Sequence, residues 1–173
     1  MKFQNLTPLW VILSIGLLIT PSLHAATTEK KRPVIGWVEY VGLGDTKIVA
    51  KGRIDSGAGL ASIDASIIEI RRQGSHENVV FRIDDGNGGK VTLEREVMEW
   101  GNIKKKGSNG VSKRPVVEML FCVGGKKIRA RTNLADRGGF LYPILIGRNV
   151  LQTGQFMIDP TEKFMHPASA CTQ

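Results

Sequence analysis

Asp55-Ser56-Gly57-Ala58 closes a run of β-forming residues, Thr46 to Ile54, with a carboxylate on a tight turn. A carboxylate held at a strand end is suited to acid–base work. Gly57 has no Cβ, so the turn can close and aim backbone N–H groups at that carboxylate. The Ser56 hydroxyl donates one hydrogen bond and accepts others, enough to tie two facing loops together. Ala58 is small and lets such loops approach. Peptide hydrolysis by this chemistry needs two carboxylates that share a proton. Held close, they cannot both ionise, and their apparent pKa values spread apart. Those values belong to the pair, not to either group. The ionised member acts as base on a water; the protonated one polarises the scissile carbonyl. The chain carries Asp-Ser-Gly once. One carboxylate is half a site, so the sequence predicts a homodimer with Asp55 from each protomer on its two-fold axis. A peptide or protein substrate would lie between them.

The triplet alone also suits a plain turn with Asp as a side-chain cap. It arises by chance in about one chain in fifteen of this size. Its surroundings favour the site. Ile54 and Ala58 flank it, and Ile144-Leu145-Ile146-Gly147-Arg148-Asn149 lies downstream. There an apolar strand, Tyr142 to Ile146, ends in Gly147 and gives way to a short helix over Arg148 to Thr153, stopped by Gly154. This assigns Ile146, Gly147 and Arg148 to the support of the Asp55 loop, with Ser56, Gly57 and Ala58. Between the two segments, Asn102 to Val111 reads as a hairpin. Lys106, Gly107, Ser108, Asn109 and Gly110 at its tip are candidates for a mobile flap over substrate, with lysines facing solvent or an acidic chain. An ordinary solvated turn fits the same residues. The Asp84 to Gly89 turn is a weaker flap candidate.

The elements that must position these residues are strands. Val34 to Val41 and Thr46 to Ile54 read as two. Asn78 to Ile83 and Val91 to Val97 flank an Asp-Gly/Asn-Gly cluster, which marks a hairpin. Pro115 to Val123 and Lys126 to Leu134 flank Gly124-Gly125, a second hairpin. In its latter strand Ile128, Ala130 and Thr132 alternate with Arg129, Arg131 and Asn133, a half-buried pattern. Phe156 to Pro160 reads as a final strand. Many short strands with Gly turns indicate a small closed or sandwich-like β structure. No internal repeat supplies a second Asp-Ser-Gly.

Asp55 to Ala58 together with Ile146-Gly147-Arg148-Asn149 resembles the retroviral-type aspartic proteases. Over roughly Val34 to Asp159 the chain is similar to a bacterial retropepsin-like family that also carries the name "ATP-dependent zinc protease". The matching residues are Ile35-Gly36-Trp37, Asp55 to Ala58, Lys106-Gly107 through Arg114-Pro115-Val116, and Arg137 through Arg148. The resemblance implies an all-β fold: a small closed acid-protease (retropepsin-like) barrel of six or seven strands with one short C-terminal helix. It also implies that Asp55 is catalytic. Three departures stand out. Ser56 replaces the family's usual Thr. Gly59 stands where retroviral enzymes have an Asp that pairs with the Arg of the Gly-Arg step, so Arg148 must find another partner. Some members are cytosolic, whereas this chain has an export leader. The zinc and ATP of the family's other name find no residues here. There is no His-Glu-x-x-His and no Gly-Lys-Ser/Thr phosphate loop. Past the leader only His76 and His166 remain. We expect no cofactor and no metal ligand set.

The leader is residues 1–25. Lys2 precedes an eleven-residue apolar run, Leu9 to Ile19, interrupted only by Ser14 and Gly16, and Ala25-Ala26 offers a cleavage site. This is a secretory signal peptide in layout and is shorter than the roughly 20 residues of a membrane span. An uncleaved N-terminal anchor is the competing reading. No Cys follows the run, which argues against a lipoprotein. Cleavage leaves 148 of the 173 residues and takes the formal charge from +8 to +7. We expect a disordered linker at 26–32, one barrel domain at 33–166 and a tail at 167–173, periplasmic or secreted, with no stable membrane insertion. A basic surface can favour acidic peptides or the anionic envelope. No segment joins a basic stripe to stacking aromatics, so we expect no nucleic-acid partner. Cys122 and Cys171 either pair and pin the tail to the barrel, or stay as one buried and one loose thiol. Two further classes compete with a peptidase. One is a non-catalytic module of the same fold that binds extended peptide by strand addition. The other, an oligosaccharide- or oligonucleotide-binding barrel, leaves Asp-Ser-Gly unexplained.

Overall fold

The computed structural model describes residues 31–44, 46–84, 89–104 and 111–171. The leader, most of the linker and the flap tip Lys106 to Gly110 lie outside the described residues. The strands are β1 (Val34–Leu43), β2 (Val49–Ile54), β3 (Ala61–Asp64), β4 (Ser66–Gln73), β5 (His76–Asp84) and β6 (Lys90–Glu96). They continue as β7 (Glu99–Lys104), β8 (Val111–Val123), β9 (Lys126–Ala135), β10 (Ile144–Ile146) and β11 (Met157–Lys163). One helix, α1 (Arg148–Gly154), follows β10, and a 3-10 turn spans Ala168–Cys171.

β1-β2-β10-β3-β9-β8 form a sheet that closes on itself through a β1–β8 pairing, giving a six-stranded barrel. β11 extends it beyond β1 and β7 extends it beyond β8; β4-β5-β6 form a separate sheet. Closure removes the exposed edges that short strands would otherwise present. The barrel is filled by Val41, Leu43, Ile63, Val117, Met119, Phe121, Ile144 and Ile146, all buried. Full burial of each such side chain contributes about 1.5–3 kcal/mol. β9 shows how this is done. Ile128, Ala130 and Thr132 turn inward, while Arg129 and Arg131 stay exposed. Arg131 forms an ion pair with Glu99 of β7.

The two expected hairpins form. β5 pairs with β6, and β8 with β9. The β8–β9 turn places Gly124 at φ 55° and Gly125 at φ 74°, where side chains are strained. Two strands, β3 and β4, lie where the sequence pattern marks none. The helix stop also differs from expectation. The left-handed residue is Gln155, at φ 53°, and its N–H bonds the carbonyls of Leu151 and Gln152. Gly154 instead gives room to the Phe156 ring, which a Cβ would strike.

Glu39 is fully buried. A lone buried carboxylate is costly, but this one accepts backbone N–H bonds from Gly36 (2.7 Å), Met165 (3.1 Å) and His166 (3.3 Å). It thereby ties β1 to the C-terminal segment. The same segment stacks Phe164 on Tyr40, with ring centroids 4.7 Å apart. It ends in a disulfide between Cys122 of β8 and Cys171, so the pairing left open by the sequence is made. The bridge closes a loop of 49 residues. Replacing both cysteines with Ser is expected to lower unfolding free energy by about 2–4 kcal/mol in denaturant titration, with the barrel retained. An unchanged midpoint would mean that the tail adds nothing to the fold.

Candidate active site

The loop that carries Asp55 is held by a three-residue strand. β10 runs parallel to β2 on one side and antiparallel to β3 on the other. The loop between β2 and β3 therefore has to arch over the end of β10. Asp55 N–H donates to the Ile146 carbonyl at 2.9 Å, which continues the β2–β10 ladder to the candidate catalytic residue. Gly57 N–H donates to Asp55 Oδ1 at 2.9 Å, and Ala58 N–H to the Asp55 carbonyl at 3.3 Å. This is the turn that Gly57 permits. Asp55 is half-buried, and Ser56 and Gly57 are exposed.

Gly147 and α1 lock the loop from below. A Cβ on Gly147 would lie 2.5 Å from the Leu60 carbonyl carbon and oxygen, so only glycine fits. The first N–H groups of a helix lack partners within it. Here they use the loop: Arg148 N–H donates to the Ala58 carbonyl (2.9 Å) and Asn149 N–H to the Gly59 carbonyl (3.2 Å). The Arg148 side chain turns back, and its Nη1 donates to the Ser56 and Gly57 carbonyls, both at 2.9 Å. Arg148 has thus found its partner within the loop, with Gly59 leaving space beside it. Asn149, whose role the sequence motif does not indicate, also braces the loop. Its side chain accepts from Ala61 N–H (3.0 Å) and donates to the Arg131 carbonyl (2.7 Å), joining β3 to β9 under the helix.

Asp55, Ser56, Gly57, Ala58, Ile146, Gly147 and Arg148 therefore form one unit. The flap assignment to Lys106–Gly110 falls on residues outside those described, but the strands on either side are in place. β7 pairs antiparallel with β8 from Glu99↔Val116 to Lys104↔Val111. The base of this hairpin is anchored through Trp100, whose Nε1–H donates to Glu77 at 2.7 Å. That bond, and a second from Arg72 at 2.6 Å, hold the Glu77 carboxyl below the usual carboxylate range.

Sequence reading gave no role to Arg137, which is 8 % exposed. Its backbone N–H donates to Asp64 Oδ1 (2.7 Å) and its Nε to the Tyr142 carbonyl (3.3 Å). The guanidinium lies 4.6 Å from the Phe140 ring centroid. Burial pulls its pKa below the usual arginine range; Asp64 opposes this, Arg114 adds to it, Asp55 opposes it and Arg53 adds to it. A cavity of about 350 Å³ lies beside Asp64 and Arg114, bounded by Lys113, Pro115, Leu134 and Asp136. Asp55 does not line it. A second hollow of about 410 Å³ touches the loop at Ser56 and Arg148 and continues to Gln152 and Phe156.

Among the described residues no three His, Cys, Asp or Glu side chains come together as a metal would require. His76 pairs with Glu96 in the separate sheet, His166 faces Glu39, and both cysteines are in the disulfide. These residues do not fit a zinc centre.

A closed barrel with one Asp-Ser-Gly loop braced by an Ile-Gly-Arg-Asn segment defines a retropepsin-like fold. The model of the RimB-like family, described as retropepsin-like aspartic endopeptidase RimB, matches residues 34–169, and the chain belongs to that family. No curated protein matches the chain. A crystal structure of Lpg0085, a DUF785 protein of unknown function from Legionella pneumophila subsp. pneumophila, is 28% identical to it. That similarity covers 78% of this chain and 98% of the Legionella chain, with a TM-score of 0.66.

Replacing Gly147 with Ala tests the brace. We expect a loss of about 1–3 kcal/mol in thermal or denaturant unfolding, because the added methyl meets backbone that cannot yield. A neutral substitution would show that β10 and the loop can part without cost.

Proposed function

We propose that the chain is an exported aspartic endopeptidase, active as a homodimer in which Asp55 of each protomer supplies half of the catalytic pair. The observation that carries this reading is the Asp55 loop itself. Its carboxylate sits at the end of β2, tied to Ile146 behind it and accepting one backbone N–H from Gly57, in a chain with a single such loop. One carboxylate cannot act as acid and base in the same step. Two can.

An extended peptide binds between the pair and the β7–β8 hairpins. The ionised carboxylate takes a proton from a water, whose oxygen attacks the scissile carbonyl carbon. The protonated carboxyl gives its proton to the carbonyl oxygen, and a tetrahedral diol forms. Collapse breaks the C–N bond. The nitrogen takes a proton from the carboxyl that was the base, and a diol hydroxyl returns one to the other carboxylate. The pair again holds one proton, and no metal or nucleotide enters the balance. Arg148, through the Ser56 and Gly57 carbonyls, keeps each loop rigid, so little reorganisation is left for the moment of reaction. Export is supported by the Lys2 to Ala26 leader and by the cysteine pair, since such bridges persist in oxidising compartments.

The leader predicts a mature N-terminus near Ala26. Mass spectrometry of the periplasmic or secreted fraction should find it there; intact Met1 or Lys2 in a membrane pellet would overturn export. The catalytic test is Asp55→Asn. The amide keeps the size and the acceptor for Gly57 but neither takes nor gives a proton. A single substitution strips both halves of the dimer. Cleavage of a peptide library should fall by at least about 10²–10⁴-fold, the usual contribution of acid–base assistance. Melting should stay at or slightly above wild type, because a repelling pair is gone. Wild-type activity should also fall on dilution, as protomers separate. Equal cleavage by the two proteins would remove Asp55 from the mechanism. A wild type that binds peptides but cleaves none at any pH or concentration would favour the non-catalytic module, with β7 or β11 as the edge that pairs with peptide.

A further inference from the structure

β8 and β9 run side by side from Val123↔Lys126 to Val116↔Asn133 and then part. Past that point β8 continues with β7, through Pro115↔Trp100, Arg114↔Gly101 and Lys113↔Asn102. β9 continues with β3, through Leu134↔Ile63 and Ala135↔Asp64. Pro115 has no N–H to give to a ladder on its other side. The cavity of about 350 Å³ opens in this fork, with Pro115 and Leu134 where the strands part and Ile67 of β4 beside them. The β8 side brings two cations, Lys113 and Arg114; the β3–β9 side brings two carboxylates, Asp64 and Asp136. Among the described residues none of these four side chains forms an ion pair. Elsewhere on the surface opposite charges close on one another, Arg71 on Glu94 at 2.8 Å and Arg72 on Glu77 at 2.6 Å. Asp64 and Asp136 each spend Oδ1 on a backbone N–H, of Arg137 (2.7 Å) and Gly138 (3.0 Å). In each, Oδ2 has no hydrogen-bond partner among the described residues. The fork holds the two signs apart with room between them.

We propose that this fork is a binding site for a short peptide with both ends free, its carboxylate held by Lys113 and Arg114 and its ammonium by Asp64 and Asp136. The charge pattern selects that class. A simple anion meets two carboxylates, and a simple cation meets two cations. A neutral ligand displaces water from all four charges and pairs none of them. A zwitterion answers both sides at once. Two extended residues place their end charges roughly 7 Å apart. A cavity of about 350 Å³ is at the small end of ligand pockets, so the ligand is a dipeptide or close to it. Pro115, Leu134 and Ile67 offer apolar surface to a small aliphatic side chain. Asp55 does not line the cavity, so this site is separate from the candidate catalytic one and stands or falls without the peptidase reading. A bound dipeptide bridges two strands that the sheet lets diverge, at the root of the β7–β8 hairpin.

The experiment is an NMR shift titration of the purified protein with L-alanyl-L-leucine, its N-acetyl form and its C-terminal amide. The free dipeptide is expected to bind with a Kd of about 1 mM, the usual yield for a ligand of its size. The amides that move should be those of the fork, Ser66, Ile67, Arg114, Leu134 and Ala135. Blocking either end should weaken binding about tenfold, the loss of one charged contact. Arg114→Gln should erase the preference for a free carboxylate and keep that for a free amine. Asp136→Asn, which retains an acceptor for Gly138, should do the reverse. If circular dichroism shows Arg114→Gln unfolded, Lys113→Gln is measured in its place. Free and blocked dipeptides binding alike would overturn the proposal, as would acetate or ethylammonium binding as tightly as the dipeptide. Shifts at the Asp55 loop in place of the fork, or no binding up to about 10 mM, would overturn it too.

Discussion

β10 is three residues long and hydrogen-bonded on both sides, by β2 in parallel and β3 in antiparallel sense. Two strands that are nearly consecutive in the chain are thereby held apart by a third that arrives some ninety residues later. The connection between them cannot be a hairpin. It must cross over the end of β10, and the crossing is the Asp55 loop. The same constraint selects Gly147, because the crossing brings the Leu60 backbone to within 2.5 Å of where a Cβ would be. It also explains why α1 starts there. The loop needs donors for its inner carbonyls and the helix needs acceptors for its first N–H groups, and each satisfies the other. Barrel closure, loop shape and helix start are one arrangement.

That arrangement changes what Arg148 does. In retroviral-type enzymes the corresponding Arg pairs with an Asp after the Ala, at the place of Gly59 in this chain. With no carboxylate there, the guanidinium bonds two backbone carbonyls of its own loop instead. Bonds from a charged donor to backbone are about as strong as neutral ones or stronger, and they fix carbonyl directions that a side-chain partner would leave free. The rigidity of the Asp55 loop is therefore built within a single chain.

Much of this was legible in the sequence because it rests on local chemistry. Asp-Ser-Gly marks a turn, Gly124-Gly125 marks a hairpin, and the alternation of Ile128 to Asn133 marks a half-buried strand. What was not legible depends on neighbours distant in sequence. Ala61 to Asp64 is too short for a period, and its burial comes from β9 and β10 on either side. β4 carries Ile67 and Ile68 side by side and both exposed, and its register slips between Ile67 and Glu69, so no alternation survives. Gln155 takes the left-handed position because Gly154 is needed beneath Phe156. Arg137 reads as one of many cations, since a charge gives no sign in sequence of being buried. The cysteine pair was an open choice until the C-terminal segment was seen to cross β1 and reach β8.

The two buried charges show a division of labour. Glu39 is saturated by backbone donors and serves the chain's own closure, joining β1 to the C-terminal segment. Arg137 gives its Nε–H to the Tyr142 carbonyl and rests its guanidinium near the Phe140 ring, which steadies the segment that leads into β10. The two therefore hold the chain at different points: Glu39 where β1 meets the C-terminal segment, Arg137 at the approach to the short strand from which the Asp55 loop hangs.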